Sequence, residues 1–483
     1  MLSKLKREWL TDPVTNVLAG IVVALALIPE ALSFSIIAGV DPMVGLYSSF
    51  IIAVVISIVG GRPAMISAAT GAVALVVVPL VRDYGVNYLF AATILMGILQ
   101  ILFGILKIGR LMKFIPNSVM IGFVNALAIL IFLTQLKHIF GISIATYVFT
   151  IITLLIIYLL PQVFTRIPAP LIAIILLTIT AMLTGADVKT VDDLGDIKRT
   201  LPHFLIPDVP FTFETLKIIF PYSLSMAIVG LVESLLTARI VDNATDSFSN
   251  KNRESSGQGV ANLITGFFGA MGGCAMIGQS VINVRSGATT RLSTFTAGVF
   301  LMILILVFGE WVIQIPMPIL AGIMVMVSVG TFNWKSFNFI KNAPRTDAVV
   351  MLLTVAIVLA TDNLALGVVA GVIVSALCFA TKISNITVKR SDSADTIYYS
   401  ISGQIFFVSI DALMNQLDFD VTNKTIYLDF KNAHLWDDSA VNAIDTLIEQ
   451  FNKKHNTVYL QHLNKDSHKI ISALSDINKK HLI

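Results

Sequence analysis

The stretch 66–71, which reads ISAATG, decides the fold because it interrupts a long apolar region. Serine or threonine followed by glycine and alanine continues a helix poorly but starts one well, with Thr70 as the predicted N-cap. A similar sequence, SGA, begins at Ser286 in the second half of the chain. Backbone groups in a bilayer must be hydrogen-bonded. We therefore expect short extended segments at 63–67 and 274–282, with helices that begin near Thr70 and Ser286.

The composition around these breaks is that of a membrane protein. Of the 483 residues, 56% are hydrophobic and 13% are charged, whereas soluble proteins carry roughly 25% charged residues. A net charge of +3 is too small to indicate a nucleic-acid partner. The two cysteines, Cys274 and Cys378, lie in apolar stretches, and we interpret both as packing residues. The sequence predicts no enzyme active site and no cofactor beyond a coupling ion.

Long apolar runs fill the chain from residue 14 to residue 381. A spanning helix needs roughly 20 apolar residues, and the two interrupted segments, 63–82 and 274–292, bring the predicted number of crossings to about fourteen. The remaining predicted spans are 14–38, 43–60, 88–107, 115–137, 143–161, 168–184, 215–241, 257–273, 293–311, 316–333, 346–361 and 363–381.

Positive charges in short loops predict the orientation of these spans. Three clusters fall on one side of the membrane if the N-terminus is cytoplasmic. An even number of spans then places the C-terminus in the cytoplasm as well, and the acidic loop 185–214 outside. The clusters are Lys4, Lys6 and Arg7; Lys107, Arg110 and Lys113; and Lys335, Lys341 and Arg345.

The two halves of the chain resemble one another. An Ile-Pro pair at 115–116 and another at 315–316 are each followed by a glycine six residues after the proline. Upstream, the segment 69–72 pairs with 285–288, and Glu30 pairs with Glu233. The second half is longer, which we attribute to a polar cytoplasmic insert at 242–254. Each half has about seven crossings, so the halves are inverted, which is an architecture of secondary transporters.

Inverted symmetry would point two helix N-termini at each other in mid-membrane. Their free N–H groups and positive dipole ends form an anion site that needs no lysine or arginine. Small residues around both helix starts let a ligand approach the backbone. The predicted substrate-binding residues are Ala69, Thr70, Gly71, Ser286, Gly287, Ala288 and Thr289.

Two carboxyl groups, Glu30 and Glu233, lie within predicted spans, where such groups usually mark an ion or proton path. Thr237 is one helical turn beyond Glu233 and shares its face. Oxygen atoms of Glu233, Thr237, Gly287 and Thr289 would suit a sodium ion. Either a proton or sodium is therefore the expected coupling ion, with Glu30 or Glu233 as its carrier.

From about residue 388 the sequence alternates between strand-like and helix-like segments, which predicts a small α/β domain. We expect strands at 396–407, 425–430 and 457–460, and helices at 409–417, 439–452 and 467–474. The predicted domains are an N-terminal segment 1–13, a first repeat 14–184, an external linker 185–214, a second repeat 215–382 and this domain at 388–483.

Several motifs resemble those of the SulP anion permeases. The stretch 42–48, PMVGLYS, resembles their Pro-x-x-Gly-Leu-Tyr-[Ser/Thr] signature. GGRP at 60–63 with ISAATG at 66–71 resembles their third helix. MIGQ at 276–279 with SGATTRLS at 286–293 resembles their tenth helix. The tail resembles the STAS domain of the same family.

The resemblance implies an all-α fold of seven plus seven helices with core and gate domains, followed by a cytoplasmic STAS domain. It also implies transport of inorganic anions or small carboxylates coupled to protons or sodium, and a homodimer. Glu233 and Thr237 match an acidic residue and a threonine that help bind sodium in the bicarbonate branch, although that branch has aspartate. Gln279 stands where vertebrate relatives carry arginine, and Ser439 matches a phosphorylated serine of STAS proteins.

We therefore expect a multi-pass cell-membrane transporter of sulfate-like or bicarbonate-like anions or small carboxylates, working by alternating access. Its expected partners are the lipid bilayer, the anion, a second copy of the chain and a cytoplasmic protein bound to the STAS-like domain. The alternatives are a passive anion channel, a membrane scaffold that acts through its tail and, less favoured, a nucleobase permease.

Overall fold

The computed structural model describes residues 8–107, 115–163, 168–194, 200–393 and 395–475. The chain forms two compact units, Met1–Val372 and Ile373–Ile483. Among the residues used to predict orientation, Lys4, Lys6, Arg7, Arg110 and Lys113 lie outside the described residues.

The first unit is helical and begins with seven helices and one short strand. In chain order these are α1 (Pro13–Ala38), α2 (Pro42–Val59), β1 (Ser67–Ala69), α3 (Gly71–Tyr84), α4 (Val86–Ile105), α5 (Asn117–Ile139), α6 (Ile144–Leu159) and α7 (Ala169–Thr184). A second series then repeats this order: α8 (Phe213–Ala244), α9 (Lys251–Phe267), β2 (Gly273–Ala275), α10 (Ile277–Arg285), α11 (Arg291–Val312), α12 (Met317–Thr331), α13 (Ser336–Asn342), α14 (Arg345–Thr361) and α15 (Leu364–Ile383).

Nine helices within the described ranges are long and apolar enough to cross a membrane. The helices that follow the strands are shorter: α3 has 14 residues and α10 has nine. If α13 is left aside, each series has seven α-helices within the described residues, with the shortened helix in third place. The polytopic, mostly helical fold predicted from the sequence is confirmed.

Helix α9 differs from its predicted position. We expected a span at 257–273 and a polar insert at 242–254, but α8 continues to Ala244 and α9 already begins at Lys251. The prediction was wrong because α9 carries polar residues that are buried between helices, among them Glu254, Gln258 and Asn262. A hydropathy pattern places such residues outside a span.

The two strands pair with each other in antiparallel register, with Ala68 opposite Cys274. Polar side chains on neighbouring helices complete their hydrogen bonds. Ser49 on α2 accepts from the N–H of Ala69, Ser234 on α8 accepts from Ala275, and the amide of Asn262 on α9 bonds to the backbone of Gly273. This pairing satisfies extended backbone inside the bilayer, and it directs α3 and α10 in opposite directions.

The helices pack in two groups. The first four helices of each series contact one another, and α9 packs closely on α4. A second group contains α5, α6, α7, α12 and α14. The crossing of α4 and α9 depends on glycines: a Cβ at Gly97 would lie 2.5 Å from the backbone N of Leu263, and one at Gly259 would lie 2.6 Å from the backbone O of Gly97.

The second unit contains a four-stranded sheet in the order β3-β4-β5-β6. Its elements are β3 (Thr387–Asp392), β4 (Thr396–Ile405), α16 (Ile410–Met414), β5 (Thr425–Leu435), α17 (Asp438–Lys453), β6 (Thr457–Gln461) and α18 (Lys465–Leu474). Strands β4, β5 and β6 are parallel, and β3 adds an antiparallel edge. The predicted α/β order is confirmed, although β3 was not predicted.

Inward-facing residues of this sheet and of α17 form one apolar core around Tyr399, Phe430 and Phe451. Asp437 accepts a hydrogen bond from the backbone N of Ala440 and caps α17. Ser439 lies in the first turn of α17 and is partly exposed. Its phosphorylation remains a prediction.

We predict that Gly97→Ala will destabilise the first unit, because the added methyl would meet the α9 backbone. Overpacking of this kind costs about 1–3 kcal/mol. The measurement is thermal unfolding of the purified protein in detergent. Gly330→Ala is the matched control, since its Cβ would meet no atom of the described residues within 4 Å. Equal melting temperatures for the two variants would contradict the account of the α4–α9 crossing.

Candidate anion site

A cavity of about 80 Å³ lies between the two groups of helices. It is bounded by residues of α1, α3, α8 and α10 on one side and of α5 and α12 on the other. No lysine, arginine or histidine occurs among its described lining residues. Those residues are Glu30, Phe34, Thr70, Gly71, Phe123, Val124, Leu127, Ile131, Glu233, Met276, Ile277, Gly278, Gln279, Val327 and Thr331.

Two helix N-termini open into this cavity. Helix α3 begins at Gly71 after Thr70, as predicted, and helix α10 begins after Met276. Neither capping residue makes a side-chain bond to its helix. The first N–H groups of a helix have no acceptor within it, and they carry the positive end of the helix dipole. Both helix starts can therefore donate hydrogen bonds to an anion held between them.

Two side chains at the cavity have buried polar atoms without partners. The amide nitrogen of Gln279 donates to Oε1 of Glu30 over 2.9 Å. Oε2 of Glu30 and Oε1 of Gln279 have no hydrogen-bond partner among the described residues, although Glu30 is 9% exposed and Gln279 only 2%. Buried polar atoms are normally hydrogen-bonded. Unpartnered atoms at a cavity therefore indicate a place for a ligand, a proton or water.

The second carboxyl group, Glu233, belongs to a row of three buried side chains. The thiol of Cys274 donates to Oε2 of Glu233 over 3.0 Å. The same sulfur lies 3.1 Å from the hydroxyl oxygen of Thr70. Cys274 is fully buried, as expected of a packing residue, but its thiol also joins the two halves of the chain at the site, which we did not expect. Only the strand pairing, which places Cys274 opposite Ala68, brings it there.

The structure corrects the second predicted helix start. Ser286 follows the last residue of α10 and does not begin a helix. The N–H of Thr289 donates to the side chain of Asn16 near the start of α1. Asn16 and Glu30 are 14 positions apart on that helix, or about 21 Å at 1.5 Å per residue. Ser286 and Thr289 are thus remote from the cavity.

The neighbouring predicted binding residues also lie away from the cavity. Gly287 adopts φ +92° in the turn after α10, and Ala288 packs with Ala19 and Ala64. Ala69 is buried in β1 behind Thr70 and does not line the cavity. Of the predicted binding residues, only Thr70 and Gly71 lie at the cavity.

The residue that corresponds to Thr70 in the second half is Met276. Thr70 follows Glu30 by 40 residues (70 − 30), and Met276 follows Glu233 by 43 (276 − 233). These similar separations along the sequence identify Met276 as the second helix start. Pairing Thr70 with Ser286 instead requires a longer insert in the second half of the chain. Met276 gives no sequence signal of a helix start because methionine is not a capping residue.

The proposed sodium ligands do not assemble. Thr237 donates its hydroxyl to the backbone O of Glu233 on its own helix. Gly287 and Thr289 lie beyond the far end of α10, near Thr15 and Asn16. The set of Glu233, Thr237, Gly287 and Thr289 is therefore wrong as one cation site, although each glutamate is placed at the cavity as expected.

A larger cavity of about 680 Å³ adjoins the site and shares Glu30, Gly278 and Gln279 with it. Its other lining residues include Asn117 at the start of α5, Ile240 near the end of α8 and further residues at the end of α12. If each helix crosses the membrane once, these ends lie on the same side as the start of α1. The site is therefore reached from the side on which α1 starts.

The sequence of this chain matches the models of two protein families. The model of the sulfate permease family matches residues 14–157 and 142–354, and the STAS domain matches 385–477. The chain belongs to the sulfate permease family. It is a multi-pass membrane protein of the SulP class with a C-terminal STAS domain.

Named relatives of this permease are transporters rather than enzymes. The putative sulfate transporter YbaR of Bacillus subtilis is 55% identical over 98% of this chain and 99% of its own. The bicarbonate transporter BicA of Picosynechococcus is 26% identical over 79% of this chain and 73% of its own.

Solved structures agree with the fold. The transmembrane domain of a cyanobacterial BicA matches with a TM-score of 0.65 and 25% identity, over 75% of this chain and 97% of its own. The murine anion transporter Slc26a9 in its inward-facing state matches with a TM-score of 0.87 at 17% identity, over all of this chain and 91% of its own.

We predict that Gly278→Leu will weaken anion binding by about tenfold or more. A Cβ at Gly278 would meet no atom of the described part of the chain within 4 Å, so a larger side chain would extend into the cavity beside the α10 N-terminus. Ser286→Ala is the control and should change the apparent affinity less than about twofold, because surface substitutions away from a site have small effects. Uptake of labelled anion against concentration measures both. A larger effect at Ser286 than at Gly278 would contradict this assignment of the site.

Proposed function

We propose that this protein is a secondary active transporter that binds a small inorganic anion between the N-termini of α3 and α10. The observation that carries the proposal is the pair of uncapped helix starts at one cavity that has no basic side chain among its described lining residues. Free N–H groups at helix starts bind sulfate, phosphate or carboxylate groups without a lysine or arginine.

Charge balance favours coupling to a cation. An anion in the cavity would lie close to the carboxyl groups of Glu30 and Glu233. Two like charges about 5 Å apart repel by roughly 3 kcal/mol at an effective dielectric constant of 20. A proton or cation on one carboxyl group removes this repulsion. We therefore propose that the anion and its coupling ion enter together, and that Glu233 or Glu30 carries the proton or binds the sodium ion.

Alternating access would use the two groups of helices. The cavity lies between them, so movement of one group past the other would close the 680 Å³ entrance and open the opposite face. We propose that this entrance and both termini face the cytoplasm, which the positive charges of the short loops support. We extend the family resemblance to a homodimer and to a cytoplasmic protein partner for the STAS domain.

We propose sulfate and bicarbonate as the first candidate substrates, since relatives are named as transporters of these anions. The experiment is uptake of labelled sulfate, bicarbonate, chloride and dicarboxylates into proteoliposomes, with proton and sodium gradients imposed separately. A carrier should give saturable uptake driven by one of the gradients. Uptake that does not saturate and ignores both gradients would favour a channel, and no uptake at all would favour a scaffold.

We predict that Glu233→Gln will abolish accumulation driven by the cation gradient and will keep exchange of one anion for another. The amide retains the size and hydrogen bonding of the side chain but cannot gain or lose the coupling charge. Accumulation and counterflow measured in the same vesicles separate the two activities. Glu30→Gln is the matched variant. If Glu233→Gln keeps full accumulation and Glu30→Gln loses it, Glu30 and not Glu233 is the coupling residue.

A further inference from the structure

Cys274 lies between a coupling carboxyl group and an anion-binding helix start. Its sulfur is 3.0 Å from Oε2 of Glu233 and 3.1 Å from Oγ1 of Thr70. All three side chains are at least nine-tenths buried. Thr70 and Glu233 line the cavity, whereas Cys274 does not. The three groups therefore form a continuous row behind the cavity wall, and the thiol is its centre.

The direction of hydrogen bonding along this row depends on the charge of Glu233. An ionised carboxylate only accepts, so the thiol of Cys274 donates to it. The sulfur is then left to accept from Thr70, whose hydroxyl has a single proton. In this state Thr70 presents lone pairs to the cavity, and these repel an anion.

A proton on Glu233 allows the opposite direction. The carboxylic acid can donate its O–H to the sulfur, and the thiol can donate its S–H to the oxygen of Thr70. The hydroxyl proton of Thr70 is then free to point into the cavity, beside the N–H groups of α3. The proton that arrives stays on Glu233, and the other two protons only rotate about their own oxygen and sulfur atoms.

We propose that Cys274 relays the protonation state of Glu233 to the hydroxyl of Thr70, so that Thr70 donates to the anion only when Glu233 is protonated. This relay rests on the proposed function, and it explains how a proton and an anion could load together without touching. Cys274 is a positioning residue in this scheme. Affinity for the anion should therefore rise as the pH falls.

Other titratable groups near Glu233 are few within the described residues. Glu30 faces it from α1 across the cavity, and Cys274 faces it from β2. Helices α3 and α10 contribute Thr70 and Gln279 to the cavity but no charged lining residue. Near the strand pair, helices α4 and α9 contribute the buried amides of Gln100 and Asn262. Protonation of Glu30 would also favour the anion, but it would not act through the thiol.

The test compares the pH dependence of the apparent KM for the transported anion in two variants. Cys274→Ser keeps a group that both donates and accepts, whereas Cys274→Ala removes it. For each protein the readout is the ratio of KM at neutral pH to KM at acidic pH, which cancels changes in protein amount. We expect Cys274→Ser to keep the wild-type ratio. We expect Cys274→Ala to reduce it about threefold to tenfold, the range of one hydrogen bond.

A spectroscopic measurement covers the case in which Cys274→Ala does not fold. Cys378→Ser leaves Cys274 as the only thiol in the chain. The infrared S–H stretching band of this variant should shift when Glu233 titrates, because the acceptor changes from a carboxylate to a hydroxyl. Glu233→Gln in the same background should remove the pH dependence of that shift.

The outcomes separate the relay from the proposed function. Equal KM ratios in the wild type and Cys274→Ala, or an S–H band that does not move with pH, would overturn the relay while leaving anion transport intact. Loss of the pH-dependent ratio in Cys274→Ser would also overturn it, since the hydroxyl should substitute for the thiol. Absence of saturable uptake by the wild type would instead refute the proposed function itself.

Discussion

Extended backbone in the middle of a bilayer needs hydrogen-bond partners, and the pairing of β1 with β2 supplies them. A backbone group left unpaired in hydrocarbon costs several kcal/mol. Here the antiparallel pair, the serine hydroxyls of Ser49 and Ser234 and the amide of Asn262 meet that need. Because both strands can end inside the membrane, α3 and α10 can begin there. The location of the candidate anion site, its inverted symmetry and its independence of basic residues all follow from this pairing.

The N-termini of α3 and α10 suit an anion because no capping side chain accepts a hydrogen bond from their first N–H groups. A capping side chain would occupy the N–H groups that an anion needs. Thr70 makes no bond to α3 and instead contacts Cys274, and Met276 has no capping group. The stability that a cap would give is forgone at both helix starts. This is a reason for a functional helix start to lack the residues by which helix starts are usually recognised.

Hydropathy and capping residues decide which parts of the fold and of the site can be predicted from the sequence. Hydropathy located most helices, and the polar break at Thr70 located α3 correctly. Ser286 does not begin a helix because its small neighbours serve a turn with a left-handed glycine and close packing on α1. The predicted position of α9 was shifted along the sequence because α9 contains a buried glutamate, Glu254. Its carboxylate accepts hydrogen bonds from backbone N–H groups after α2, and no local sequence pattern reveals such contacts. Strand β3 was missed because it is an exposed, charged edge strand without alternation.

The roles of Gln279 and Cys274 depend on contacts between distant parts of the chain. Gln279 meets Glu30 across 249 positions, and Cys274 meets Thr70 across 204. Sequence spacing alone gives no signal for either contact. Such contacts arise from the strand pairing and from the packing of α10 against α1 and α8.

Direct location of a bound anion tests the central claim most sharply. Crystals of the full-length protein grown with selenate, a sulfate analogue, would reveal the anion by the anomalous scattering of selenium. We expect a peak within hydrogen-bonding distance of the N–H groups of Gly71 and Gly278, beside Thr70. A peak at Ser286 and Arg285, with the cavity between α3 and α10 empty, would contradict it.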